Sequence, residues 1–353
     1  MIPTAPPATG VRTPWEQLPA YVREELADAL GAPVVGATTQ RGGFSPGVAA
    51  RVRLADGRRA FVKAVSADAN PGSPDLHRAE ARNSAALPDS VPAPRLLASY
   101  DDGTWVALAF EDIEGRQPQV PWSSHEFELV LDAVDALGRA LTPAPLGAPS
   151  VVEAKVDDFR GWEQLIAAEA GGEASRNRPV GGPRLDPWAR RHLHALAELA
   201  APWAQFATGD TLAHGDLRAD NTLIIGDGDG DGYGYGDGDG DGYGDGDGDG
   251  GRVVFVDWPH ATRAAPWFDL LLMLPCVRAQ GGPDPEDVFT AWRVGRDADP
   301  KGVTATLAAL AGYFVHHSLL PDPPGLPTLR AFQAAQGAAA LEWLRTRLGP
   351  VLP

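Results

Sequence analysis

The run His214-Gly215-Asp216-Leu217-Arg218-Ala219-Asp220-Asn221 sets a carboxylate and, five residues on, a carboxamide in one short polar stretch. Asp216 has the right chemistry to accept the proton of an alcohol, a role worth about 10²–10⁴ in rate. Asn221 would lend a neutral oxygen to magnesium, and His214 would order the loop through hydrogen bonds. An ordinary polar turn before a strand is the plain alternative. Further along, the apolar run Val253 to Val256 delivers Asp257 at the end of a strand, where a carboxylate could chelate magnesium between β- and γ-phosphates. Asp after an apolar run is commonly just a turn; its pairing with the first loop across a hairpin makes the functional reading the stronger one. The chemistry such a set serves is transfer of a phosphoryl group from ATP, with Mg²⁺ as the bridging ion.

That chemistry also needs a cation on the phosphates and a cradle around them. Lysine occurs only at positions 63, 155 and 301, and Lys63 lies in the strand-like run Phe-Val-Lys-Ala-Val. Glu80, in the helical stretch that follows, is the natural partner to aim it; a surface lysine and an unrelated helix-face glutamate are the alternative. Gly42, Gly43, Ser45 and Gly47 would form a flap over the triphosphate, although such clusters also mark plain turns. No G-x-x-x-x-G-K-[ST] pattern occurs, so a P-loop is not indicated.

The elements that must position these residues follow from the pattern along the chain. A Pro-rich lead precedes a short helix over Trp15 to Leu30. Strands are expected at Val34 to Thr39, in the small-residue hairpin that follows, and at Arg58 to Val65. A helix from Pro74 to Leu87, capped by Ser73 or Asp75, separates these from strands on either side of the Asp101-Asp102-Gly103 turn. Beyond about residue 123 the chain is Ala/Leu-rich, with helices expected over Glu126 to Leu141, Asp186 to Thr208, Thr304 to Leu320 and Thr328 to Leu348. Two short strands, Asn221 to Ile225 and Arg252 to Trp258, lie among them. A strand-rich third followed by a helical remainder is an α+β, two-lobed layout.

Between those two strands, residues 226–251 are a Gly-Asp repeat with no hydrophobic periodicity, read as a flexible expansion of a hairpin turn. Lengthening a loop from about 4 to about 26 residues costs only roughly 1.7 kcal/mol. Its start matches the first half of an EF-hand loop, but position twelve is Gly238 where an acid is needed. The net charge of −17 falls to −8 without the nine aspartates of this tract. A surface lacking a basic excess argues against nucleic acid as a partner and is compatible with a cationic one, without selecting it. No apolar stretch long enough to span a membrane and no secretory pattern at the start are found, and the single cysteine, Cys276, fits a reducing cytoplasm. His192, His194, His316 and His317 lack the ligand set of a zinc site. Trp162, Trp188 and Trp292 could line an acceptor pocket, with packing the better expectation for each.

The order and spacing of His214 to Asn221, Asp257 and Lys63 resemble the aminoglycoside phosphotransferase and choline kinase superfamily, which has the protein-kinase-like fold. The resemblance runs from about Gly42 to the C-terminal helices. It implies a bilobed α+β fold, with residues 1–110 as a nucleotide-binding sheet lobe and 111–353 as a helical lobe carrying the catalytic loop. It further implies that the stretch Phe110, Glu111 to Ile113 is a hinge whose backbone binds adenine, and that Asp269 is a buried acid bracing the loop. Arg218 stands where protein kinases often place a lysine near the transferred phosphate; a salt bridge with Asp220 is an equal expectation. Asp257 is followed by Trp258-Pro259 and no Ala-Pro-Glu segment follows, which disfavours a protein kinase. The expectation is a small-molecule hydroxyl acceptor, aminoglycoside-like by resemblance. A kinase of a sugar or amino alcohol, or a kinase-like nucleotide-binding protein without activity, stand as alternatives.

Overall fold

A computed structural model of the chain describes residues 2–68, 70–145, 147–171, 184–226 and 251–349. Its first part is one antiparallel sheet. Strands β1 (Val34–Thr39), β2 (Val48–Leu54), β3 (Arg59–Ser66), β4 (Leu96–Asp101) and β5 (Trp105–Glu111) lie in the order β1-β2-β3-β5-β4. Alternation along β3 decides which side chains reach the cleft. Ala60, Val62 and Ala64 face a core that includes Val22, Leu26 and Leu30 of helix α1 (Ala20–Leu30), so Lys63 must point to the opposite face. That face is covered by α2 (Ser73–Ala86), whose buried Ser73, His77 and Glu80 recur at helical spacing.

Helix α2 starts as expected but is capped differently. Its N-cap is Gly72, whose N–H goes to the Asn70 side chain at 3.1 Å, while Asp75 pairs with Arg78 at 2.9 Å. Ser73 is already inside the helix and buried, with Pro74 in the first turn where its missing N–H leaves no bond unmade.

The remainder is mostly helical: α3 (Ser124–Ala140), α4 (Val151–Lys155), α5 (Gly161–Ala170), α6 (Pro187–Arg191), α7 (Leu193–Ala200), α8 (Trp203–Ala207), α9 (Phe268–Ala279), α10 (Pro285–Ala291), α11 (Arg293–Arg296), α12 (Pro300–Ser318) and α13 (Leu329–Leu348). The helix expected from Asp186 to Thr208 is thus three short ones. The chain leaves helical geometry at His192, and Pro202, which has no N–H to continue a helix, stands at the start of the last. Two short pairs sit among the helices: β6 (Thr211–Ala213) with β9 (Thr262–Ala264), and β7 (Thr222–Ile225) with β8 (Arg252–Phe255). The second is the expected hairpin, in register from Thr222↔Phe255 to Ile225↔Arg252, but its second strand stops at Phe255, short of the expected Trp258, because the chain turns away at Asp257 with φ of +71°. The first was not anticipated, because three-residue strands carry too little periodicity to read. Residues 227–250 lie outside the described residues, and with them the flexible-loop and calcium readings of the tract.

The Pro-rich lead is also more than a lead. Ala5 N–H reaches Ala279 O at 3.1 Å, Gly43 N–H reaches Ala8 O at 3.2 Å, and Val11 N–H reaches Gly325 O at 2.8 Å. The segment therefore ties the Gly-rich turn after β1 to the helical part.

Candidate active site

The loop from His214 to Asn221 leaves β6 and is held from below by the first turn of α9. Asp269 there accepts the N–H groups of His214 and Gly215 at 2.7 and 2.8 Å. It is the buried brace that the resemblance implies, and burial pushes its carboxyl up to about 6. His214 is fully buried, with its ring 4.5 Å from that of Trp258. Its Nδ1 accepts the Asp216 N–H at 3.3 Å, so the neutral ring carries its proton on Nε2 and donates to Val256 O at 3.0 Å. Burial lowers its pKa to about 4, in keeping with that neutral form. Gly215 has φ of +79°, and a Cβ there would run into the carbonyl oxygen of His260. The turn accepts glycine alone on both counts.

Asp216 is held on both oxygens, by Arg218 Nη1 at 2.7 Å and by Asn221 Nδ2 at 3.2 Å. Burial raises its pKa and Arg218 opposes that rise. Arg218 also forms the expected bridge to Asp220, at 2.9 Å, and lies over the rings of Phe44 and Phe332 at 5.5 and 5.7 Å. The Asn221 amide nitrogen is committed to the Asp216 side chain and backbone, which leaves its oxygen for another partner.

Lys63 stands between Glu80 and Asp257, at 2.7 Å from each. Burial works against its charge, but the two carboxylates win and hold its pKa above the usual value. Burial likewise works against charge on Asp257, and Lys63 overcomes it, keeping that carboxyl below the usual range. Asp257 has φ of +71°, a left-handed conformation uncommon outside glycine and a form of local strain typical of functional sites.

Two cavities meet at this triad. One, of about 440 Å³, is lined by Gly42, Gly43, Phe110, Glu111, Ile113 and Asn221 among others; the second, of about 310 Å³, is lined by Ser45, Asp216 and Arg218. Lys63, Glu80 and Asp257 border both. Of the residues picked from the sequence for the loop, the phosphates, the metal and the hinge, all but His214 and Asp269, which sit behind the loop, and Gly47 border one of two adjoining spaces. Ser45 departs from expectation by facing the space beside Asp216, with Gly42 and Gly43 on the other side.

Asn221 Oδ1 and the ionised Asp257, which both border the first space, are hard oxygen donors of the kind that suits Mg²⁺. The hinge stretch borders that space, with Ile113 O already accepting from Arg51 at 3.1 Å. Among the described residues no cluster of three or more His, Cys, Asp or Glu could hold a metal by itself. Nor is any helix there long and apolar enough to cross a membrane. Trp162 is buried and donates to Ala308 O at 2.7 Å, Trp188 lies under Arg345, and Trp292 packs on the helical core; none of the three borders either cavity.

Three further residues were not singled out from the sequence. Asn83 of α2 donates to Trp258 O at 2.7 Å and so pins the segment that follows Asp257. Arg12 donates to the carbonyl oxygens of Gly42 and Ser45, fixing the Gly-rich turn. Phe44 stacks edge-on to Phe332 at 4.8 Å. All three contacts join residues far apart in the chain, so no local pattern signals them.

The phosphotransferase enzyme family model matches residues 42–232, more than half of the chain. The chain belongs to the phosphotransferase enzyme family. No curated protein sequence matches it. Among solved structures it is similar to a thermostable mutant of aminoglycoside phosphotransferase APH(4)-Ia in ternary complex with ADP and hygromycin B. That likeness has a TM-score of 0.56 at 12% identity and covers 94% of this chain and 100% of the other. It is also similar to a putative fructosamine-3-kinase from Haemophilus somnus 129PT, at a TM-score of 0.52 and 12% identity, covering 93% and 97%. The fold is thus that of small-molecule kinases, and with the family it marks the chain as a small-molecule phosphotransferase. The family match ends before Asp257, Asp269 and the helices α12 and α13, which the structural likeness alone covers.

Proposed function

We propose that the chain transfers the γ-phosphate of ATP, with Mg²⁺, to a hydroxyl group of a small molecule. The observation that carries this is the meeting of two cavities at Lys63, Glu80 and Asp257, with Asn221 on one side and Asp216 on the other. ADP and AMP-PNP in the solved complexes of the similar aminoglycoside phosphotransferase support the nucleotide.

In this reading Lys63 holds the α- and β-phosphates, aimed by Glu80, while Gly42 and Gly43 cover them with backbone. Phe110, Glu111 and Ile113 border the adenine end. Asn221 and Asp257 would hold the magnesium, which would supply positive charge against the phosphates. Asp216 accepts the acceptor's hydroxyl proton; its raised pKa makes it a better base than a free aspartate, and Arg218 and Asn221 fix its direction. Arg218, paired with both Asp216 and Asp220, is a positioning residue. His214 and Asp269 keep the loop in shape and touch neither substrate.

Asp216→Ala should lower kcat by about 10²–10⁴ while Mg-ATP still binds, as measured by nucleotide titration beside an acceptor-dependent ADP assay. Turnover within tenfold of the wild type would remove Asp216 from the role of base.

A further inference from the structure

The Gly-rich turn after β1 commits two of its backbone donors to the N-terminal segment. Gly43 N–H goes to Ala8 O at 3.2 Å and Gly47 N–H to Val11 O at 3.3 Å. The carbonyl oxygens of Gly42 and Ser45 accept from the two Nη atoms of Arg12. Bare carbonyl oxygens repel phosphate, whereas a guanidinium held across them presents positive charge and further donors.

The chain fixes Arg12 on both sides. Val11 N–H reaches Gly325 O at 2.8 Å, and Thr13 N–H reaches Gly47 O at 2.9 Å. Gly10 passes so close to the turn that a Cβ there would lie 2.6 Å from Ser45 O. The side chain so placed is half-buried and borders the cavity of about 440 Å³, near enough to Asp257 for that carboxylate to act on its charge.

Four cations border this cavity: Arg12, Arg41, Arg51 and Lys63. Lys63 is shared by Glu80 and Asp257, and Arg51 stands 3.3 Å from Asp112. The other acids on its border are held from outside it, Glu111 by Arg95 and Asp220 by Arg218 at 2.9 Å. Among the described residues neither Arg12 nor Arg41 forms an ion pair. Arg41 is exposed, so water serves its charge. Burial works against the charge of Arg12, and a half-buried cation without a counter-ion favours an anion beside it.

We propose that Arg12 is a phosphate-binding residue, its guanidinium taking the outer phosphates of the nucleotide beside Asp257. Two of its five N–H groups serve the turn, which leaves donors for phosphate oxygens. This rests on the kinase reading above and adds to Lys63 a second cation, from a segment that precedes the family match at residue 42. The N-terminal segment is then part of the nucleotide site as well as a support for the turn.

The test is calorimetric titration of the full chain with AMP, Mg-ADP and Mg-AMP-PNP, at low and at high salt. Arg12→Gln should bind AMP within about twofold of the wild type, which also reports an intact fold. It should bind Mg-AMP-PNP about five- to tenfold more weakly, through loss of a charge-assisted contact, with Mg-ADP between the two. Arg12→Lys keeps the charge without the fork and should recover most of that loss. The wild-type advantage over Arg12→Gln should shrink as salt screens it. Equal weakening of AMP and Mg-AMP-PNP, or Arg12→Lys binding no better than Arg12→Gln, would confine Arg12 to the turn and overturn the proposal. Mg-AMP-PNP bound as tightly by Arg12→Gln as by the wild type overturns it too. The kinase reading fails in a different way, through a wild type that binds none of the three nucleotides.

Discussion

His214 shows how a buried residue behind a loop can govern the loop's shape. Its two ring nitrogens join the backbone of Asp216 to that of Val256, the residue before Asp257, so one imidazole sets the spacing of the two catalytic segments. It does this only while neutral. In the unfolded chain a histidine titrates near 6.5, whereas burial lowers His214 to about 4. The unfolded state therefore binds the proton first as the medium is acidified. The stabilisation is present in full above about pH 6.5 and is lost as pH falls toward 4. Between pH 7 and pH 5 the wild type should lose about 2 kcal/mol more than a His214→Gln variant. Urea unfolding of both proteins at the two pH values measures this. Equal losses would show that His214 is not the buried neutral group described.

At the scale of elements, the site depends on helices that approach closely. Gly161 opens α5 directly against Gly312 of α12, and a Cβ at Gly161 would overlap the Gly312 carbonyl oxygen. Next to this crossing, Trp162 covers Gly312 and donates to Ala308 O. Because α12 also carries Leu310 and Phe314 into the cavity beside Asp216, the crossing holds that wall in place. Gly161→Ala should destabilise the protein by about 1–3 kcal/mol through overpacking. It should also raise KM for the acceptor more than KM for ATP. Denaturant melts and steady-state kinetics test the two parts; an unchanged melting curve would show that the helices separate freely.

Over the whole molecule, the N-terminal segment works as a strap. It hydrogen-bonds α9, the Gly-rich turn and the segment before α13 in sequence, and Arg12 clamps that turn through two carbonyl oxygens. The turn lies between the two cavities and gives Gly43 to one and Phe44 to the other. Freeing it should weaken the hold on the nucleotide without touching the base. Arg12→Ala is therefore expected to raise KM for ATP by about three- to tenfold, in line with the loss of charge-assisted hydrogen bonds, while kcat changes less. A KM for ATP equal to that of the wild type would show that the turn holds its shape without the strap.

The loop from His214 to Asn221, the strand carrying Lys63, the partner Glu80 and the strand leading to Asp257 were legible in the sequence, although that strand ends at Phe255 and not at Asp257. Each is a local pattern: a polar run before a strand, an alternation of period two, an acid on a helix face. The five-stranded sheet and the long helices were legible for the same reason, and the resemblance supplied the order in which they assemble. The caps of α2, the break-up of 186–208 and the three-residue strands β6 and β9 were not, because neighbours distant in sequence decide them. Which face each site residue presents was also beyond the sequence. Ser45 and Gly43 are two positions apart yet border different cavities, and nothing local separates them. The cavity beside Asp216 is the strongest case. Its walls come from segments as far apart as Phe44 and Gln336, and Lys63 meets Asp257 only once the sheet and the helical part have folded together. The eight residues from His214 to Asn221 determined the reaction class, since chemistry follows from side-chain type and spacing. The tertiary structure decided which of these side chains share a space, since burial and long-range contact are properties that the linear chain does not possess.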